Sequence, residues 1–292
     1  MSAQLVFMQL FNGLILGCIY VLLSLGLSII FGMLGIINFA HGAFYMLGAY
    51  TAYTIVSYVF SSFWAAFVFA PIFMAGFGAA CEYFLFRRLY RLPPLYIVLF
   101  TFGLMMLLQD IIRMIFGSMG VPFSTPASLT GAINIGFMYY PKYRLFLIVV
   151  TVLCSLGVWL FLTRTRLGAF IRAGTDNSVM VDALGINISR IITLVFGLGI
   201  GLAGLAGVLA APIQNVTHLM GMDFLVDCFV VVVIGGMGSI AGSIIGGLIV
   251  GEIIAVGIIV WPPIAHTLIY FFMAAFLLTR PRGLLGREAF HE

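Results

Sequence analysis

The first 81 residues of this 292-residue chain contain no Asp, Glu, Lys or Arg, and the first charge is Glu82. A water-soluble domain cannot be built on such a stretch, because roughly a quarter of a soluble chain is charged and its surface carries those groups. Only 8% of all residues are charged and 63% are hydrophobic, which excludes a soluble enzyme or a nucleic-acid binder. A helix needs about 20 apolar residues to cross the hydrocarbon core, so this length holds about nine spans with short loops and no separate soluble domain. The expected fold is all-α: one polytopic transmembrane helix bundle over residues 1–292.

Apolar runs of spanning length cover residues 5–31, 36–59, 63–86, 95–117, 144–162, 188–212, 239–260 and 264–279. A further run, 224–234, rises only about 16 Å before Gly235, Gly236, Met237 and Gly238 interrupt it, which predicts a broken or re-entrant helix. The basic residues supply orientation. Ten of the 13 fall in three clusters: Arg87, Arg88 and Arg91; Arg164, Arg166, Arg172 and Arg190; Arg280, Arg282 and Arg287. The spans put all three on one side, which the retention of Lys and Arg makes cytoplasmic. The uncharged loop 118–141 is then external, the C-terminus cytoplasmic and the N-terminus periplasmic.

The single lysine, Lys142, follows Pro141, so no GxxxxGK[ST] phosphate loop exists and the chain carries no ATPase of that type. Cys18, Cys81, Cys154 and Cys228 lie far apart in apolar segments, and His218 and His266 lack HxxxE or HxxxH partners; neither a disulfide framework nor a metal site is implied.

Glycine is abundant for a helical protein, with 34 residues. Gly13/Gly17, Gly197/Gly201, Ala203/Gly207, Gly238/Gly242/Gly246 and Gly247/Gly251 repeat at four-residue spacing, which lines up small residues on one helix face. Such faces either pack helices tightly within the bundle or form a subunit interface around a pore.

Ionisable groups at membrane depth are costly, so each needs a role. Asp110 and Arg113 stand three apart on one helical face and can pair, as a structural ion pair near the outer end in preference to a substrate contact. Glu82 is within helical reach of Arg87, as a solvated or paired end residue, and Asp223 and Asp227 are placed to cap the short half-helix. Glu252 has no neighbouring Arg; it serves either packing or an inter-subunit hydrogen bond, or a gate or pathway. Asn38 is an N-cap for the second helix with His41 in its first turn, or the two are gate residues at the cytoplasmic mouth. Gly235, Gly236 and Gly238 are further pore or gate candidates at the helix break.

Residues 163–188 form the longest cytoplasmic segment. Thr175 or Asp176 as N-cap, an apolar stripe of Val179, Met180, Ala183 and Leu184 beside the polar Asp182, and Gly185 as C′ stop predict an amphipathic helix of about nine residues. A helix that short is marginal alone and needs a surface, either lipid or the groove of a soluble protein.

Several stretches resemble the permease subunits of branched-chain amino acid ABC importers. They are Ile36-Ile-Asn-Phe-Ala-His-Gly42 with Met46-Leu-Gly-Ala-Tyr50; Arg172-Ala-Gly-Thr-Asp176 with Ala183-Leu-Gly-Ile-Asn187; Gly201-Leu-Ala-Gly-Leu-Ala-Gly-Val208; Val231-Val-Val-Ile-Gly-Gly-Met-Gly-Ser-Ile-Ala-Gly-Ser243; and Arg280-Pro-Arg-Gly-Leu-Leu-Gly286. The resemblance implies half of a translocation pore in a bacterial inner membrane, paired with a second homologous permease, two cytoplasmic ATPase subunits and a periplasmic solute-binding protein. ATP and magnesium then belong to the partner ATPases, and this chain is not an enzyme. It also implies that 176–185 is the coupling helix that sits in the ATPase groove. Ala43 and Val179 stand where many members carry an acidic residue; the first argues against a charged role at the mouth before the second helix, and the second makes the dock more apolar. The implied substrates are branched-chain amino acids or related small polar or carboxylate solutes. A self-contained secondary carrier or channel, with Glu252 relaying protons, is the alternative.

Overall fold

The structure, a computed structural model, describes residues 3–134, 136 and 139–286; Arg287 of the third arginine cluster lies outside them. The chain runs through α1 (Ala3–Leu34), α2 (Ala40–Thr54, extended by a π-helical turn Ile55–Val59) and α3 (Phe63–Cys81). A second π-helical turn, Glu82–Phe86, leads to the three-residue α4 (Arg87–Leu89), followed by α5 (Pro94–Phe116). A small antiparallel hairpin, β1 (Ala132–Asn134) and β2 (Tyr139–Pro141), pairs Ile133 with Tyr140. Then come α6 (Lys142–Arg164), α7 (Arg166–Asp176), α8 (Ser178–Ala183), α9 (Ile188–Ala210), α10 (Met220–Gly235), α11 (Ile240–Val260) and α12 (Ala265–Thr279).

Among the described residues, seven helices are long and apolar enough to cross a membrane: Gln4–Leu34, Phe63–Leu89, Pro94–Phe116, Lys142–Arg164, Ile188–Ala210, Ile240–Val260 and Pro262–Thr279. The other two expected runs depart from full spans. The run 36–59 begins as helix only at Ala40, and the short run ending at Gly235 begins four residues early, at Met220.

α1 is the axis of the bundle. Every residue from 17 to 30 is buried, which explains an N-terminal helix without charge: a helix enclosed on all sides has no face on which a charge is solvated. The glycine faces provide its partners. A Cβ on Gly251 of α11 would lie 2.4 Å from both the Gly13 carbonyl oxygen and the Gly17 nitrogen, and one on Gly26 would lie 2.4 Å from the Gly199 oxygen of α9. Gly197 and Gly201 meet Ala75 of α3, and Gly204 and Gly207 meet Gly48 and Tyr45 of α2. These faces therefore pack inside one chain, where close backbone approach replaces the hydrophobic drive that lipid removes. α5, α6 and α12 form the outside, with Leu99, Met114, Val152, Leu153, Phe271 and Leu278 exposed.

The three arginine clusters converge on one end. Arg87 reaches the Ser189 carbonyl and the Thr193 hydroxyl at the start of α9. Gly238 packs on Gly32, whose surroundings include Thr175, and Gly236 packs on Gly283 and Gly286. The uncharged loop lies at the opposite end, where Val121 pairs with Val216 and Tyr50 donates to the Val216 carbonyl.

Candidate functional site

Two kinds of feature stand out from regular spanning helices: a pair of shortened helices inside the bundle and a short surface helix at the arginine end. The shortened pair is α2 and α10. They pack antiparallel, with Gly42 against Gly221, Tyr45 against Phe224, and the Phe39 and Phe229 rings 5.2 Å apart. At 16 residues, α10 is about 24 Å long, short of the roughly 30 Å core.

Ahead of α2 the chain is non-helical from Gly35 to Asn38. Asn38 does accept a hydrogen bond from the Ala40 backbone N–H at 3.1 Å, but it stands one residue before the N-cap position, which Phe39 occupies. Phe39 N–H in turn donates to the Thr101 hydroxyl of α5 at 3.2 Å. His41 lies in the first turn as expected and is fully buried, with Nε2 3.0 Å from the Leu23 carbonyl of α1. Neither side chain is at a surface mouth. Both sit in the bundle, and Asn38 Nδ2 and His41 Nδ1 are buried without a hydrogen-bond partner among the described residues.

α10 ends where the glycines predicted. Gly236 and Gly238 take φ of 101° and 78°, which side chains resist, and Ser239 caps α11 by accepting from the Gly242 N–H at 3.1 Å. The last carbonyls of α10 do not stay unpaired. Ile234 and Gly235 accept from the Leu284 and Leu285 N–H groups at 2.8 and 3.0 Å, so the post-α12 segment seals the break. Gly235 packs directly on Gly242, with 2.3 Å between its would-be Cβ and the Gly242 oxygen.

The expected capping role of Asp227 is overturned. The α10 N-cap position is Leu219 without a side-chain cap, and Asp227, in the third turn, is buried. Tyr20 of α1 donates to its Oδ2 at 2.5 Å and Tyr270 of α12 to its Oδ1 at 3.1 Å. His266, expected to be isolated, places Nδ1 3.9 Å from Oδ2. Pairs separated by 207 and 43 residues carry no local spacing signal, so nothing in the sequence linked them. Glu82 is paired but not solvated. It is fully buried, 3.1 Å from Arg87, and also accepts from the Thr193 hydroxyl; the π turn brings residues five apart together. Asp110 and Arg113 form the expected ion pair at 3.1 Å, half-exposed on α5. Glu252 lies midway along α11 against Gly13, its buried Oε2 without a partner.

At the arginine end the predicted single helix is two. α7 is capped by Thr165, which accepts from the Gly168 N–H at 3.0 Å, and runs through Asp176. The cap of α8 is therefore not Thr175 or Asp176 but Asn177, accepting from Met180 N–H at 2.9 Å, and the helix has six residues rather than nine. The reason is that Thr175 turns its hydroxyl back to the Arg172 carbonyl and stays in α7. Gly185 closes α8 at φ 82°, with N–H bonds from Gly185 to Asp182 and from Ile186 to Val181, the double bonding of a Schellman motif. Val181 is the buried anchor, whereas Val179, Met180 and Leu184 are 78%, 63% and 74% exposed, and Asp182 and Ala183 are exposed beside them.

The family profile described as branched-chain amino acid transport system / permease component matches residues 9–278. The chain belongs to this permease family. It is 33% identical to the high-affinity branched-chain amino acid transport permease protein BraD of Pseudomonas aeruginosa, covering 96% of this chain and 95% of that one. It is 30% identical to LivH of Escherichia coli K12, covering 98% of each, and 29% identical to LivM of that strain over 76% of this chain and 57% of LivM. No solved structure matches. The permease is thus a multi-pass membrane transport component and not an enzyme.

Family motifs that are distant in the permease sequence meet in space. The 231–243 stretch contacts 280–286 through Gly236, Gly283 and Gly286, and 46–50 contacts 201–208 through Gly48 and Gly204. Around Asp227, Tyr20→Phe removes a hydrogen bond to the carboxyl group inside the bundle, an expected loss of about 1 kcal/mol. Thermal unfolding of the detergent-purified permease checks this, and an unshifted midpoint would show that the bond contributes nothing.

Proposed function

We propose that the chain forms one half of the translocation pore of an ATP-binding-cassette importer for branched-chain amino acids or related small polar or carboxylate solutes. In this reading a second homologous permease supplies the other half, a periplasmic binding protein delivers solute at the end bearing the uncharged loop, and two cytoplasmic ATPases hold ATP and magnesium. The arginine end faces the cytoplasm, by the retention of basic residues there, so the N-terminus is periplasmic and the C-terminus cytoplasmic. The substrate class comes from the names of BraD, LivH and LivM.

The observation that carries the reading is α8. A six-residue helix is unstable alone, yet both its ends are locked by Asn177 and Gly185 while Val179, Met180 and Leu184 stand uncovered. That is the form of a rigid apolar knob made for a groove in another protein. Its attachment is stiff: Gly168 of α7 packs on the carbonyls of Phe161 and Leu162 in α6, and Gly174 packs on Met33 of α1 and Ile188 of α9. A push on α8 therefore reaches the axis of the bundle. The non-helical stretch before α2, with Asn38 and His41, and the break at Gly235, Gly236 and Gly238 are the gate elements of this proposal, since discontinuous helices concentrate at translocation paths. Glu252 is assigned to packing against α1.

Reconstitution tests the reading. Proteoliposomes holding the permease pair, its ATPases and its binding protein are expected to accumulate leucine with ATP and to lose all accumulation when the ATPases are left out. Uptake that continues on a proton gradient without them, and stops in Glu252→Gln, would replace this reading with a self-contained carrier.

A further inference from the structure

A cleft of about 980 Å³ opens on the side of the bundle between α3 and α6, with α9 as its floor. The floor residues Arg190, Thr193, Leu194, Gly197 and Leu198 fall on one face of α9, so the cleft runs about 12 Å from the arginine end into the membrane. Its inner part is apolar and shallow, walled by Ala75, Ala79 and Phe161. Its mouth is polar and positive: Arg87 and Arg190 lie there with Asn187 and Ser189. Arg87 is committed to the buried Glu82 and stacks over the Tyr83 ring at 4.6 Å. Arg190 is exposed and makes no ion pair among the described residues, which leaves one positive charge at the mouth uncompensated.

This order of polarity, a cation at the water boundary followed by an apolar channel at membrane depth, is that of a phospholipid read from headgroup to tail. We propose that the cleft is a binding site for an anionic phospholipid, with the phosphate on Arg190 and one acyl chain lying along Leu194, Gly197 and Leu198. Basic pockets between helices at a membrane face recognise anionic headgroups in this way. The small side chains give the reason for the shape. Gly197 and Ala75 lie so close, with a would-be Cβ 2.9 Å from the Ala75 carbonyl, that α3 and α9 touch while α6 stands apart, leaving a trough of chain width. A bound lipid here would bridge α3 to α6 directly beside α7 and the start of α9. The inference depends on α9 spanning the membrane and not on what the permease carries.

The test uses the full chain, purified and placed in nanodiscs of phosphatidylcholine with or without phosphatidylglycerol, and native mass spectrometry of the lipids it retains. Wild type is expected to retain phosphatidylglycerol in preference to phosphatidylcholine. Arg190→Gln is expected to lower that preference about fivefold, the factor for roughly one basic residue at a membrane face, and Arg190→Lys to restore most of it. Leu194→Trp, which fills the floor, is expected to lower retention of both lipids. An unchanged preference in Arg190→Gln overturns the site, as does unchanged retention in Leu194→Trp. Displacement of the lipid by inorganic phosphate, or a cross-link from Leu194→Cys to a second permease chain, would assign the cleft to those occupants instead. Because the readout is lipid retention, failure of leucine uptake leaves it standing.

Discussion

Val179→Asp and Leu184→Asp are each expected to abolish ATP-driven uptake while leaving the permease folded. Both side chains are more than 70% exposed, so a carboxylate on either is solvated in the isolated chain and changes its stability by no more than about 0.5 kcal/mol. In the proposed docked state the same carboxylate would be buried against the ATPase groove without a partner. Losing a central apolar anchor costs about 2 kcal/mol or more, and an unpaired buried charge adds to that, so ATPase affinity falls at least about thirtyfold. The paired measurements are ATPase co-purification and leucine uptake, beside thermal unfolding. Normal uptake in both variants would sink the docking role of α8. Val181→Asp is the contrast: this position is buried, so the substitution is expected to unfold the segment itself.

Gly251→Val is expected to prevent assembly of the bundle. A Cβ at this position would lie 2.4 Å from backbone atoms of Gly13 and Gly17, and no side-chain rotation relieves a clash with main chain. Forcing α1 and α11 apart loosens the whole seam, at an expected cost of about 3 kcal/mol or more, the upper range for overpacking. The control is Gly103→Val on α5, whose Cβ meets nothing within 4 Å. Membrane accumulation and the unfolding midpoint of the two variants read the difference. Equal behaviour would mean that the α1–α11 contact tolerates separation and that the glycine seam is not what holds the axis.

The glycine faces show how far sequence reasoning reaches. Four-residue spacing placed Gly13 and Gly17 on one face and Gly247 and Gly251 on another, but a face does not name its partner. Whether such faces close a bundle or join two subunits depends on which helices the chain brings together, and here Gly251 meets Gly13 and Gly17 of the same chain. Local rules did well where the physics is local. Gly185 ends α8 and Asp110 pairs with Arg113, because each decision is made within four residues. The same rules misplaced the α8 cap by one or two residues, since Thr175, Asp176 and Asn177 are all acceptable caps and the choice went to the residue whose neighbours pack. They failed at Asp227, where capping and pairing compete and the winning partners, Tyr20 and Tyr270, come from two other helices.

By itself the sequence determined that this chain is a membrane bundle, which end of the bundle gathers the arginines, where α10 breaks and that the chain holds no phosphate loop of the GxxxxGK[ST] type. These follow from composition and from spacing, neither of which needs coordinates. Tertiary structure alone decided that α1 is the buried axis, that α2 and α10 lie antiparallel, that the segment after α12 seals the α10 break, and that a charged cleft opens beside α9. The physical reason is that helix contacts within lipid rest on shape and on single polar pairs, and both are properties of two surfaces meeting rather than of either segment alone.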